Sequence, residues 1–223
     1  MPRMFVTEAV MPDTAMDRVT SFGQDGKASQ VDRFGVWLSK RQIRSVVGSV
    51  RGRDVGDFGC GFDATFMRSV LDEVRSATLV DVALAPSLLA DPRVHGIEGR
   101  LPDALDGLAN ESLDVVLCMS VVEHLWDPAP TLARFRELLR PGGVCAVNVP
   151  SWRGKRALEF SAFKLGLSPA CEMDDHKTYY DPRDLWPLMV RAGFQPHGIK
   201  CFRHKFGLNT FAVCTVDPPE NST

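Results

Sequence analysis

Between Leu113 and Met119 the chain reads Leu-Asp-Val-Val-Leu-Cys-Met, apolar at every position but one. Seven residues make a strand and fall far short of a membrane span. A run that is apolar on both faces belongs in a strand covered on both sides, as parallel strands sheathed by helices are. The flanking sequence has the rhythm such a sheet needs. Strands are expected at residues 54–58, 77–82 and 94–98, with a helix opening near Asp63 that buries Phe66, Val70, Leu71 and Val74. After the apolar run, Asp127 can cap a helix with Pro128 in its first turn and Leu132, Phe135, Leu138 and Leu139 on one face. Pro141-Gly142-Gly143 should end that helix before a strand at residues 144–149. Strands and helices alternating in this way predict an α/β, Rossmann-like, doubly wound sheet that is mostly parallel.

The two ends read differently. Residues 1–30 are polar and aperiodic up to about residue 28 and are expected to form a mobile arm, followed by a helical pattern of Phe34, Trp37, Leu38, Ile43, Val46 and Val47. Beyond Pro150 the rhythm breaks over residues 151–180, with one helical patch at 157–165. Asp181-Pro182 opens a last helix reaching Ala192-Gly193. Residues 199–203 and 210–216 are then too closely connected to be anything but an antiparallel pair. One domain over residues 31–216 is expected, with 217–223 as a polar tail.

Composition narrows the class. Lys and Arg total 26 against 28 Asp and Glu, a formal charge of -2, so no nucleic-acid partner is expected. No segment reaches membrane-spanning length and the first residues lack the apolar core of a signal peptide, so a soluble cytoplasmic protein is expected. The six cysteines form no Cys-x-x-Cys pair, and no His and carboxylate cluster stands at ligand spacing, so no metal is expected.

The chemistry gathers at Val55-Gly56-Asp57-Phe58-Gly59-Cys60-Gly61-Phe62-Asp63-Ala64. Glycines at the end of a first strand let the backbone approach a ligand, and the amides that follow face it. Asp81 comes twenty residues after Gly61, at the end of the second strand, where an acid can accept both hydroxyls of a ribose. Gly59, Gly61 and Ala64 also satisfy the dinucleotide pattern of a nicotinamide enzyme. Three further features separate the two: Asp57 two residues before the first glycine, the run Met119-Ser120-Val121-Val122-Glu123-His124, and the antiparallel end of the chain.

Together these residues resemble the class I S-adenosylmethionine-dependent methyltransferases, in particular the small-molecule group called type 11 or type 23. The resemblance covers residues 50–150 well. It implies S-adenosyl-L-methionine as cofactor and a small-molecule methyl acceptor. It makes Asp57, Gly59, Cys60 and Gly61 the loop under the methionine part, with Asp81 at the ribose and Val82 beside the adenine. It sets Gly99, Arg100 and Leu101 facing the adenine ring, and Met119 and Ser120 bordering the sulfonium. The chain departs from the pattern at Asp63, which replaces the third glycine and is expected either to cap the next helix or to alter contacts near the methionine ammonium. It departs again at Glu98-Gly99-Arg100, where relatives place an aspartate.

Methyl transfer from a sulfonium is an in-line displacement, and a base is needed only where the acceptor is a hydroxyl. His124 and His176 are the two candidates for that base. Residues 151–180, with Trp152, Phe160, Phe163, Tyr179 and Tyr180, are expected to form an acceptor-side lid suited to a saccharide or a ring-bearing secondary metabolite. The competing readings are an NAD(P)-dependent oxidoreductase and a non-catalytic subunit that binds S-adenosylmethionine without turnover.

Overall fold

The computed structural model describes residues 21–24, 30–160 and 176–218; the side chains of residues 30–36 and 157–160 are not among them. Seven strands form one sheet: β1 (Asp54–Phe58), β2 (Ser76–Asp81), β3 (Val94–Glu98), β4 (Leu113–Met119), β5 (Leu139–Pro150), β6 (Ile199–His204) and β7 (Asn209–Thr215). Their order is β3-β2-β1-β4-β5-β7-β6, and only β7 runs antiparallel to its neighbours. The order turns back between β1 and β4, so a crevice opens beyond the carboxyl ends of those two central strands.

The apolar run of β4 explains why the sheet lies in the middle. Val115 and Leu117 pack into a core with Ile43, Val47, Phe66, Met67 and Leu88, while Val116 and Cys118 pack into a second with Leu132, Phe135, Leu185 and Met189. All four strand residues are fully buried. The first core is closed by α1 (Gln30–Val47), α2 (Thr65–Arg68) and α3 (Pro86–Leu89), the second by α4 (Ala129–Leu138) and α6 (Pro182–Arg191). A further helix, α5 (Trp152–Phe160), follows β5.

Three expectations change. The helix near Asp63 shrinks to the four residues of α2, because the Ser69 hydroxyl donates to the Phe66 carbonyl at 2.6 Å and the chain tightens into three-residue turns. Val70 and Val74 are still buried, but from turns. Strand β5 begins at Leu139, so Pro141-Gly142-Gly143 lies within it at an irregularity where β4 shifts register between Leu113 and Val115. The helical patch expected at 157–165 begins earlier, at Trp152. In the expected N-terminal arm, residues 21–24 pack against the first glycine turn, and α1 starts at Gln30. The rest of the arm, residues 161–175 of the expected lid (Phe163 among them) and the end of the expected tail lie outside the described residues.

Candidate active site

Strand β1 delivers Asp57 and Phe58 into the sheet and then turns at Gly59. Gly59 has φ +77°, and a Cβ there would fall 2.1 Å from Val121 Cγ2. The glycine is therefore what lets the turn after β1 lie against the turn after β4. Gly59 N–H donates to the Val80 carbonyl at 2.7 Å, holding the same turn against the end of β2. Gly61 has φ +75°, and a Cβ there would stand 3.2 Å from the Phe22 carbonyl oxygen. That oxygen accepts the Phe62 N–H at 3.0 Å, so residues 21–24 cover the glycine loop.

Asp81 closes the loop from the other side. One carboxylate oxygen accepts the Gly61 N–H and the other the Val82 N–H, both at 2.8 Å. The side chain is half-buried, and its oxygens retain lone pairs for ligand hydroxyls. Asp57 is 4% exposed; burial first and the Asp81 charge second push its carboxyl up to about 7. The same two carboxylates and, above all, burial push the Cys60 thiol up, so Cys60 is a packing residue whose Sγ–H donates to the Gly61 carbonyl. Two acids facing a glycine turn, one able to accept hydroxyls and one ready to ionise beside a cation, suit a ribose with a positively charged extension. The residues present therefore fit S-adenosylmethionine.

The expected adenine side is only partly assembled. Gly99 N–H donates to the Asp81 carbonyl at 2.9 Å, which brings the turn after β3 beside the end of β2. Arg100 is exposed, and Leu101 packs against the core beside Leu105. Glu98 accepts the Leu84 N–H at 2.8 Å, so its carboxylate braces the loop after β2. Asp63 does not cap α2: Ala64, at φ 40°, occupies that position, and the Asp63 carboxylate pairs with Arg68 at 3.5 Å.

On the acceptor side, Met119 is half-buried and Ser120 turns the chain at φ +58° with its N–H on the Asn148 carbonyl at 2.8 Å. A short turn, Val122–His124, follows. The Glu123 carbonyl accepts the Lys177 and Thr178 N–H groups at 2.7 and 3.2 Å, which docks residues 176–180 on this turn. His124 and His176, fifty-two positions apart in sequence, consequently stand with ring centroids 4.9 Å apart. Tyr179 meets both His176, through a 3.1 Å contact between its hydroxyl and Nδ1, and Trp152, at 5.7 Å between centroids. Tyr179 and Tyr180 are each 6% exposed, and Tyr180 packs into the core that holds Phe135 and Leu185.

Glu123 is the site residue that sequence reasoning passed over. It is 1% exposed, and one of its oxygens and one nitrogen of each of His124 and His176 lie within 4.8 Å of one another. The expectation of no His and carboxylate cluster thus fails in space, although no linear spacing betrays it. The signal was a carboxylate following two valines at a strand end, Val121-Val122-Glu123.

A seven-stranded sheet of this order, with a glycine turn ending β1 and an acid ending β2, defines the class I S-adenosylmethionine-dependent methyltransferase fold. Residues 32–197 match a family described as a methyltransferase domain. A relative from Mycolicibacterium smegmatis, named a probable S-adenosylmethionine-dependent methyltransferase, is 29% identical over 88% of this chain and 74% of its own. A ubiquinone biosynthesis O-methyltransferase from Bordetella pertussis is 27% identical over 71% of this chain and 68% of its own. A crystal structure of an S-adenosylmethionine-dependent methyltransferase from Archaeoglobus fulgidus shares the fold, with a TM-score of 0.58 and 15% identity over 80% of this chain and 93% of its own. The chain belongs to the methyltransferase domain family and is an S-adenosylmethionine-dependent methyltransferase. Among the described residues no helix is long and apolar enough to cross a membrane.

Proposed function

We propose that this enzyme methylates a hydroxyl of a small molecule, a saccharide or a ring-bearing secondary metabolite, in the cytoplasm. The observation that carries the reading is the His124 and His176 pair at the carboxyl end of β4, one turn from the residue that packs on Gly59. S-adenosylmethionine supplies an activated methyl group on a positive sulfur. Asp81 takes the ribose hydroxyls, the loop Asp57 to Gly61 supports the methionine end, and Val82, Arg100 and Leu101 border the adenine. Met119 and Ser120 stand beside the sulfonium. The His124 and His176 pair activates the acceptor hydroxyl, since a neutral hydroxyl is a poor nucleophile until its proton is drawn off. Trp152, exposed and packed on the buried Tyr179, offers a flat face to a sugar or ring and keeps water from that side of the transfer. The ubiquinone biosynthesis O-methyltransferases among the relatives support an oxygen acceptor.

The test is a turnover screen of phenolic and saccharide acceptors, reading S-adenosylhomocysteine release and the position of the new methyl group. Methyl on oxygen is expected. Replacing His124 or His176 by Ala should lower kcat by about 10²–10⁴-fold for the residue that handles the proton, with cofactor affinity retained. Methyl found only on nitrogen or carbon, or full kcat in both variants, would overturn the reading. Cofactor binding without any turnover would favour the non-catalytic subunit.

A further inference from the structure

The geometry points to a divalent cation site made by Glu123, His124 and His176, placed to hold the hydroxyl of the methyl acceptor. Each residue brings one ligand atom, and the three atoms lie within 4.8 Å of one another, the span across which one ion can be shared. Two imidazoles and one carboxylate form a donor set that suits zinc, manganese or iron, and three protein ligands leave coordination positions for water or substrate. This inference rests on the hydroxyl-acceptor reading above and names how that hydroxyl becomes reactive.

The set is built in advance of any ion. Glu123 and His124 are fixed on the turn Val122–His124, and His176 arrives on an irregular segment clamped to that turn through the Glu123 carbonyl, at 2.7 and 3.2 Å. A supporting contact orients the third ligand. His176 Nδ1 stands 3.1 Å from the Tyr179 hydroxyl and is engaged there, so Nε2 is the nitrogen assigned to the cation. Metal-bound histidines are commonly held in this way through their second nitrogen. Tyr179 is 6% exposed and packs edge-on to the His176 ring, with centroids 5.3 Å apart, which keeps the hydroxyl in place.

The position matches the chemistry. Val121, two residues before Glu123, packs on Gly59 of the cofactor loop, so the cation would stand on the acceptor side of the transferred methyl group. Coordination to a divalent cation acidifies a hydroxyl and eases the loss of its proton, as it does for metal-bound water. That proton passes to solvent water. The acceptor oxygen then forms its bond to the methyl carbon as the carbon–sulfur bond breaks, and sulfur keeps the electron pair and becomes a neutral thioether. No oxidant, reductant or further reactant is needed. In this arrangement the two histidines serve as ligands, and the cation performs the task otherwise given to a histidine base.

The experiment uses the full chain without a histidine tag, stripped with a chelator and titrated by calorimetry with Zn²⁺, Mn²⁺ or Mg²⁺ alone. One site per chain is expected, with Zn²⁺ or Mn²⁺ preferred over Mg²⁺. Tyr179→Phe should weaken that binding by about 10- to 100-fold while melting normally, and His176→Ala should weaken it further. Glu123→Gln is the buried test, and the thermal shift produced by the cation reports on it even where the variant is less stable. Turnover should stop in chelator and return with the cation. Absence of binding, or binding indifferent to Tyr179→Phe, His176→Ala and Glu123→Gln, would overturn the site. Binding with turnover unaffected by chelator would overturn its role on the hydroxyl. A cation bound with these dependences while no hydroxyl acceptor is methylated would contradict the hydroxyl reading and leave the metal site standing.

Discussion

At the scale of single residues, Asp57 couples cofactor binding to protons. Its carboxyl is pushed up to about 7 by burial and by Asp81, so it is largely protonated at pH 6. S-adenosylmethionine carries a net positive charge, and a cation nearby favours the carboxylate. Binding below pH 7 should therefore release a proton, and affinity should rise with pH and level off above about 7. Calorimetry at pH 6 in buffers of different ionisation enthalpy counts that proton directly, and Asp57→Asn should abolish both the release and the pH dependence. The ligand-free protein should show the converse. A raised carboxyl favours the folded state fully below the usual carboxylate range, and this contribution is lost as pH rises toward 7. The melting temperature of Asp57→Asn should fall less than that of the parent across this window.

At the scale of elements, residues 21–24, described within the N-terminal arm, touch the cofactor loop through the Phe22 carbonyl and the Phe62 N–H. Removing residues 1–24 deletes that hydrogen bond and its cover over Gly61. The loss should weaken S-adenosylmethionine by up to about tenfold, in line with one hydrogen bond worth roughly 0.5–1.5 kcal/mol. Melting temperature should change little, and unchanged affinity would remove the arm from the site. The elements themselves differ in how far the sequence discloses them. Strands β1, β3 and β4 and helix α6 stand at the residues their patterns mark, because alternation, apolar runs and the Asp181-Pro182 start are local signals. Asp57, Gly59, Gly61 and Asp81 were legible for the same reason, since a strand-end turn and an acid one crossover later are encoded at fixed spacing. The contact of Phe22 with Phe62 was not, nor was the meeting of Glu123 and His124 with His176. Both depend on backbone hydrogen bonds between distant segments, which leave no periodicity. The short α2 escaped because a single hydroxyl, that of Ser69, competes with the helical ladder.

At the scale of the whole molecule, the sheet separates stability from chemistry by its two ends. At the amino ends of β1 and β4, Asp54 takes Arg75 Nε at 2.8 Å, Ser76 Oγ at 2.7 Å and Arg140 at 2.9 Å, while Asp114 accepts the Asp54 N–H at 2.8 Å. The Arg75 hydrogen bond above all, opposed by burial, holds the Asp54 carboxyl well below the usual carboxylate range. This contribution to stability is present above that range and is lost as the pH falls through and below it. Asp54→Ala should cost about 1.5–3 kcal/mol of unfolding free energy at neutral pH, read by denaturant titration, with cofactor affinity unchanged. At the opposite end, Asp81 and the glycine loop should behave in the reverse manner.

Calorimetric titration of Asp81→Ala with S-adenosylmethionine, alongside Asp54→Ala, is the most direct test of the site assigned at the carboxyl ends of the strands. The expected result is binding weakened by about 10- to 100-fold in Asp81→Ala, from loss of charge-assisted hydrogen bonds worth roughly 1.5–3 kcal/mol, and parental affinity in Asp54→Ala. Parental affinity in an Asp81→Ala protein that melts normally would contradict it.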